Sequence, residues 1–169
     1  MASLGTAVLS EARQTFSHSM GKVRNCLEQL GDEDVLWRPH PTHNSIAVIV
    51  NHLCGNVRQW IVSGVGGAPD VRQRPKEFRD PGPVAKGELL RKLEQAVAEA
   101  DKVLADVDPA RLLQVRRIQG FEVTALHAIL DTSAHFVGHT HQIVYITRMR
   151  LGDAYQFEWK PATAEQGAP

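Results

Sequence analysis

Apolar residues recur at spacings of three and four along four stretches of the chain, which is the period of an amphipathic helix. These stretches cover residues 9–31, 45–62, 88–108 and 124–150. Four amphipathic helices in a chain of 169 residues predict an all-α fold, a four-helix bundle whose helices face one another along their apolar sides. Facing helices of such bundles commonly build metal and cofactor sites.

The segments between the helices have other patterns. Residues 63–87 are dense in glycine, proline and charge, and they predict a long connection from helix 2 to helix 3. A connection of this length is often a lid, a binding loop or a disordered segment, but the sequence favours a solvated linker here. Residues 111–122 alternate enough for a short strand or an extended crossover, which Gly120 interrupts. The tail, residues 162–169, is predicted to be disordered.

Length and charge restrict the class of protein. The chain fits a single domain, predicted to span residues 1–161, that can bury a real core. Its 19 basic and 19 acidic residues are interspersed, so no overall field attracts nucleic acid. The start lacks the pattern of a signal peptide, and no segment approaches about 18 uninterrupted apolar residues. We expect a cytoplasmic protein that binds neither nucleic acid nor membranes, with Cys26 and Cys54 reduced and buried.

Two histidines of the fourth predicted helix are candidates for metal binding. His135 and His139 lie one turn apart and face the same way, the spacing at which one helix offers two imidazoles to one ion. His141 does not join them, because two further residues rotate the side chain by about 200°. The pair faces the core, because apolar and small residues fall within about 100° of His135: Ala128, Thr132, Phe136, Ile143 and Ile146.

A polar strip adjoins this pair. It consists of Thr124, Asp131 and Gln142, which fall within about 40° of His135 on its other side. Buried polar groups without partners cost a few kcal/mol each, so the strip indicates a ligand, a water or a metal. His52, in the middle of helix two, lies at the edge of the apolar face and can reach inward between helices. A histidine satisfied by a neighbouring group is the alternative interpretation of His52.

Three imidazoles on two facing helices form a metal-binding constellation. His52, His135 and His139 would leave a fourth position open, as in a catalytic zinc-type centre. The divalent ion could equally be nickel, iron or manganese, since imidazole suits several of these metals. Zinc-protease chemistry is disfavoured because it needs glutamate where Phe136 stands. A di-iron bundle is disfavoured because it needs Glu-x-x-His pairs, and no glutamate of this chain has a histidine three residues later. The remaining histidines are predicted to be dispensable: His18, His40, His43, His127 and His141.

Together these motifs resemble the DinB-like (YfiT-like) superfamily of helical-bundle proteins, whose members are regarded as metalloenzymes. The resemblance covers nearly the whole chain, and one position departs from it: many members have a further histidine where this chain has Gly138. It implies an up-down-down-up order of helices, a divalent metal on the three histidines, and often a homodimer. The matching residues, in order, are Trp37, Pro39, His52, His135, His139 and Gln142.

The resemblance also suggests roles around the metal. Gln142 would hold a water or substrate at the metal, and Asp131, one turn before His135, would orient an imidazole. No glutamate is predicted beside the histidines on the inner face, so no general base is assigned. The first hypothesis is a metal-dependent enzyme, a thiol-dependent transferase or isomerase or a hydrolase, acting on a small-molecule substrate through an activated thiolate or water. The alternative is a noncatalytic metal- or ligand-binding bundle with a structural or sensing role.

Overall fold

The computed structural model describes residues 3–79 and 81–159, and it is mainly helical. Four long helices form the bundle, as the apolar pattern predicted, and the predicted tail at 162–169 lies outside the described residues. A short helix, α3, lies in the connection between the second and third long helices. The helices are α1 (Leu4–Gln29), α2 (Ile46–Val57), α3 (Arg74–Glu77), α4 (Lys86–Asp106) and α5 (Ala125–Leu151).

Hydroxyl side chains set the start of three long helices. The side chain of Ser3 accepts a hydrogen bond from the backbone N–H of Thr6, and Ser45 and Thr124 cap α2 and α5 in the same way. Each such cap satisfies one of the backbone donors that a helix start leaves without a partner. Because of the Ser3 cap, α1 begins at Leu4, earlier than the apolar stripe from Leu9 predicted.

The helix α2 changes its geometry at its C-terminal end. It continues without a break as a π-helix over Arg58–Val65, so the helical segment extends beyond the predicted end at residue 62. Trp60 lies in this π-helix, is 8% exposed, and donates its indole N–H to Oε1 of Gln119 at 3.2 Å. The π-helix therefore packs against the segment that precedes α5.

Ion pairs between α1 and α4 show that these helices run in opposite directions. Arg13 pairs with Asp101 at 2.6 Å, and Arg24, farther along α1, pairs with Glu94, which lies earlier in α4. Both pairs are substantially exposed, so they contribute little to stability. They show that the two helices are antiparallel. The stability of the contact between α1 and α4 comes from the buried apolar residues beneath the ion pairs.

The helices α2 and α4 run in the same direction. Arg58 pairs with Glu99 at 2.7 Å, and farther along, Gly66 lies against Val103. A parallel pair needs a connection that travels back along the bundle, which explains the length of the segment between α2 and α4. The connection contacts α2 through α3 and buries Glu77, while residues 66–71 and 73–76 are exposed, so the interpretation as a solvated linker holds for part of its length only.

The helix α5 packs on both α1 and α2. The ring of Phe16 meets the ring of Phe136 edge to face at 5.2 Å, and Asn25, farther along α1, donates to the backbone oxygen of Gln156, just beyond α5. The two helices are therefore parallel, and the bundle has the up-down-down-up order. No helix among the described residues is both long and apolar enough to cross a membrane.

A β-hairpin precedes α5 where the sequence predicted a short strand or an extended crossover. The strands β1 (Val115–Ile118) and β2 (Phe121–Thr124) pair antiparallel. The two turn residues, Gln119 and Gly120, have φ angles of 53° and 87°. Two positive φ angles in a two-residue loop match the right-handed twist of the strands, and glycine adopts them without strain.

Candidate metal centre

Three histidines meet between α2 and α5. The Nε2 atoms of His52 and His135 are 2.9 Å apart, and one ring nitrogen from each of His52, His135 and His139 lies within 4.8 Å of the others. Their ring centroids are separated by 4.5 to 5.1 Å. The structure thus brings together the three residues that the helical phase singled out, and we refer to them as the histidine cluster.

The histidine cluster lies at the edge of the core. His135 and His139 are on one face of α5 because one helical turn separates them, and His52 points at them from α2. His52 is 7% exposed, whereas the other two are half-buried. The cluster is therefore enclosed on the side of α2 and accessible on the side of α5.

Burial keeps the three imidazoles neutral. Loss of hydration lowers the pKa of His135 to about 4, and the neighbouring His139 and His52 add to this effect. The pKa of His52 is lowered mainly by burial as well, although its hydrogen bond to Glu77 opposes the change. Burial also lowers the pKa of His139. At neutral pH each ring keeps a nitrogen lone pair, which is the form that binds metal ions.

Glu77, the last residue of α3, binds His52 from the connection. Its Oε2 lies 2.9 Å from Nδ1 of His52, and its side chain is 9% exposed. The prediction that no glutamate lies beside the histidines is therefore wrong. Glu77 comes from a segment without helical periodicity over most of its length, so no phase argument could place it. The high charge density of residues 63–87 was the only signal of a charged residue here.

Arg72 holds the carboxylate of Glu77. Its Nε donates to Oε1 at 2.6 Å and its Nη2 to Oε2 at 2.8 Å, while Nη1 donates to Oε1 of Gln59 at 2.7 Å. The Arg72 side chain is only 4% exposed. Burial alone would raise the pKa of Glu77, but the hydrogen bonds from Arg72 and His52 outweigh it and leave the pKa below its ordinary value. The carboxylate is therefore charged at neutral pH.

The three residues of the polar strip predicted on α5 have different environments in the structure. Nδ1 of His139 donates a hydrogen bond to Oε1 of Gln142 at 2.7 Å, so Gln142 contacts an imidazole. Asp131 is exposed and makes no hydrogen bond to His135 in the described part of the chain; it acts on that ring only through its charge. Thr124 caps α5.

The other histidines stay outside the histidine cluster. All five are exposed, and three of them have polar or aromatic neighbours at the surface. Nε2 of His141 lies 3.4 Å from Nζ of Lys22. His40 bonds Thr42, and its ring centroid lies 5.6 Å from that of His43. The five are His18, His40, His43, His127 and His141.

A groove lies beside Gln142, the residue that bonds His139. It has a volume of about 740 Å³ and lies between α5 and the loop before α2. Gly138 and Gln142, which flank His139 on α5, line one end, and Tyr145 and Met149 line the other. A Cβ atom at Gly138 would meet nothing within 4 Å, so this position is open. The volume is of the size that binds small molecules.

Phe78 covers His52 on the outside. Its ring centroid lies 5.0 Å from that of His52, and the guanidinium of Arg74 stands 4.9 Å from the Phe78 ring. Phe78 is 38% exposed, so it shields the imidazole from solvent only partly. The sequence pattern did not single out Phe78, because it follows Glu77 in the same connection.

Two solved structures share the fold of this chain. A conserved protein from Enterococcus faecalis superposes with a TM-score of 0.72 at 17% identity, covering 85% of this chain and 97% of that one. A DinB-like protein from Bacillus cereus ATCC 10987 superposes with a TM-score of 0.65 at 16% identity, covering 81% and 89%. The fold is thus that of a DinB-like helical bundle, and the fold that the resemblance implied is confirmed.

Residues 3–162 match a protein family of unknown function, DUF1572, which is DinB-like. The match covers most of the chain, and the chain therefore belongs to DUF1572. No curated protein matches it.

Proposed function

We propose that His52, His135 and His139 bind one divalent transition-metal ion, and that the protein is a metal-dependent enzyme acting on a small molecule. The observation that carries this proposal is the convergence of three neutral imidazoles, whose ligand atoms lie within 4.8 Å of one another. Neutral histidines rarely gather in a protein interior without a shared ligand, because each ring brings a nitrogen that needs a partner.

The donor set fits such an ion. Nδ1 of His52 and Nδ1 of His139 face oxygen acceptors, so both rings carry their lone pair on Nε2. Nε2 of His52 contacts Nε2 of His135 at 2.9 Å, and a shared ion would replace that contact. Imidazole nitrogens suit zinc, nickel, iron and manganese, and three protein ligands leave a position for a further group. When bound, the ion would supply a Lewis acid that activates a water molecule or a thiol.

The surroundings favour catalysis over a structural or sensing role. His135 and His139 are half-buried, and the groove of about 740 Å³ begins at Gly138 and Gln142 beside them. A small molecule in this groove would contact Gln142, whose side chain bonds His139; none of the three histidines lines the groove itself. A site that served only stability would be closed by protein ligands. The reactions we propose are transfer or isomerisation with a thiol cosubstrate, or hydrolysis.

Turnover by the metal-loaded protein tests this function. The wild type, loaded in turn with zinc, nickel, iron or manganese, is screened with small electrophiles in the presence and absence of several biological thiols. We expect turnover that requires the metal and that is lost in His139→Ala. Turnover that survives complete removal of the metal would contradict the mechanism. A protein that binds metal but converts no substrate would be assigned to the noncatalytic alternative.

A further inference from the structure

We propose that Glu77, held in place by Arg72, is the positioning residue of His52, so that the connection between α2 and α4 forms part of the metal centre. The role toward an ion rests on the proposed function. The hydrogen bond and its effect on the His52 ring do not depend on it. Three features of the structure support the proposal: the hydrogen bond between Glu77 and Nδ1 of His52, the anchoring of the Glu77 carboxylate by Arg72, and the space that Gly55 of α2 leaves for this carboxylate.

The acceptor at Nδ1 fixes the tautomer of His52. A carboxylate can only accept, so Oε2 of Glu77 at 2.9 Å places the ring proton on Nδ1. Nη2 of Arg72 also lies 3.3 Å from Nδ1, but a bare ring nitrogen facing a carboxylate oxygen at the shorter distance would be repelled. The lone pair then lies on Nε2, the atom that points at His135 from 2.9 Å. A metal-binding histidine needs this arrangement, and an acceptor on the other nitrogen also raises its basicity.

Arg72 fixes the direction of the carboxylate. Two parallel hydrogen bonds from one guanidinium hold both oxygens of Glu77, and a third bond from the same group ties it to Gln59 in the π-helix that follows α2. Gln59 in turn donates to Asp70 at 2.8 Å, which anchors the start of the connection. Both oxygens of Glu77 already have donors, so we assign it a positioning role and no role as a general base.

The helix α2 leaves a space for Glu77 at Gly55, one turn after His52. A Cβ atom at Gly55 would overlap Oε1 of Glu77, would come within 2.8 Å of its carboxyl carbon, and would lie 3.1 Å from Nε of Arg72. Glycine inside a helix has a lower helix propensity than alanine, and any larger residue here would displace the carboxylate. The sequence of α2 is thus adapted to a carboxylate arriving from the connection.

Two variants test the proposal, each acting on a different part of the arrangement. Glu77→Ala removes the acceptor, whereas Gly55→Ala keeps the carboxylate and pushes it away from His52. Gly55→Ala also raises helix propensity, so it is expected to fold even if Glu77→Ala does not. The control is Glu99→Gln, which removes the partner of Arg58 on the same side of α2 without contacting a histidine. Circular dichroism checks that each variant is folded.

Zinc affinity and the His52 tautomer are the two measurements. Competition with a chromophoric chelator should show zinc bound about 10- to 100-fold more weakly by Glu77→Ala, and more weakly by Gly55→Ala, with no change in Glu99→Gln. Nitrogen-15 NMR of the metal-free protein should show His52 protonated on Nδ1 in the wild type. In Glu77→Ala the proton should move at least partly to Nε2.

The outcomes separate this proposal from the proposed function. Wild-type zinc affinity in folded Glu77→Ala or in Gly55→Ala would overturn the positioning role even though the protein binds zinc. An unchanged His52 tautomer in Glu77→Ala would overturn it as well. If the wild type binds none of the metals, the proposed function fails; the tautomer comparison still decides whether Glu77 positions His52.

Discussion

His139 and His141 lie two residues apart on α5 and have different surroundings. The His139 ring lies 4.5 Å from that of His135 and 5.1 Å from that of His52, measured between centroids. His141 is exposed and lies 3.4 Å from the ammonium of Lys22. A rotation of about 200° between the two positions is sufficient to separate a residue of the cluster from a surface residue.

Alanine substitutions should therefore have opposite results at these two positions. His139→Ala should abolish stoichiometric metal binding after dialysis, because two imidazoles remain where the proposed site uses three. His52→Ala and His135→Ala should do the same, whereas His141→Ala should bind one ion per chain. Elemental analysis of the dialysed proteins is the measurement. A comparable loss in His141→Ala would contradict the assignment of ligands.

The pH dependence of stability follows from His135. Its folded pKa of about 4 lies below the unfolded value of about 6.5, so between these values the unfolded chain binds a proton that the folded protein does not. The free energy of unfolding of the metal-free protein should therefore fall as the pH drops from about 6.5 toward about 4. Urea denaturation of wild type and His135→Gln measures this. Gln does not titrate, so we expect a shallower decline; identical pH profiles would show that His135 is not responsible.

At the scale of elements, backbone conformation decides the effect of glycine substitutions. Gly120 in the hairpin turn and Gly87 in α4 both have open space where a Cβ atom would stand. Gly120 has a φ of 87°, and Gly87 lies in a helix. Gly120→Ala should destabilise the protein by about 1 kcal/mol, because an L-residue is strained at positive φ. Gly87→Ala should stabilise it by up to about 1 kcal/mol through helix propensity. Chemical denaturation of both variants is the measurement, and a shared sign would contradict this account.

The long elements could be predicted from the sequence because periodicity reports them directly. The apolar stripe of each helix predicted both the helix and the face that it buries. The buried faces of the second and fourth predicted helices in turn predicted that His52 lies close to His135 and His139. The ends were less certain. Ser3 extends α1 beyond its apolar stripe through a cap, and α2 continues as a π-helix in the segment that begins at Arg58.

The connection could not be predicted because tertiary contacts determine it. Arg72 and Glu77 are five residues apart in a segment with no sustained period, and their positions depend on each other, on Gln59 and on the space at Gly55. Such a mutual arrangement leaves no repeated pattern in the sequence. The same holds for the contact between Gln142 and His139, where phase placed both residues near one face but could not give the hydrogen bond.

At the scale of the whole molecule, the histidine cluster joins parts of the chain that are distant in sequence. His52 belongs to α2, His135 and His139 belong to α5, and Glu77 extends the contact to the connection. An unfolded chain holds none of these groups together. Because the proposed ligands come from two helices that must pack to form the site, an ion that binds them binds the folded bundle in preference to the unfolded chain.

Metal should therefore stabilise the entire bundle. At a free concentration of 100 times the dissociation constant, the gain is about 2.7 kcal/mol, which for a chain of this size raises the melting temperature by about 5 to 10 °C. Thermal unfolding followed by circular dichroism, with and without zinc, measures the shift. His139→Ala should show no comparable shift, while His141→Ala should match the wild type. A shift of equal size in wild type and His139→Ala would place the stabilising ion elsewhere, because binding at the histidine cluster requires all three rings.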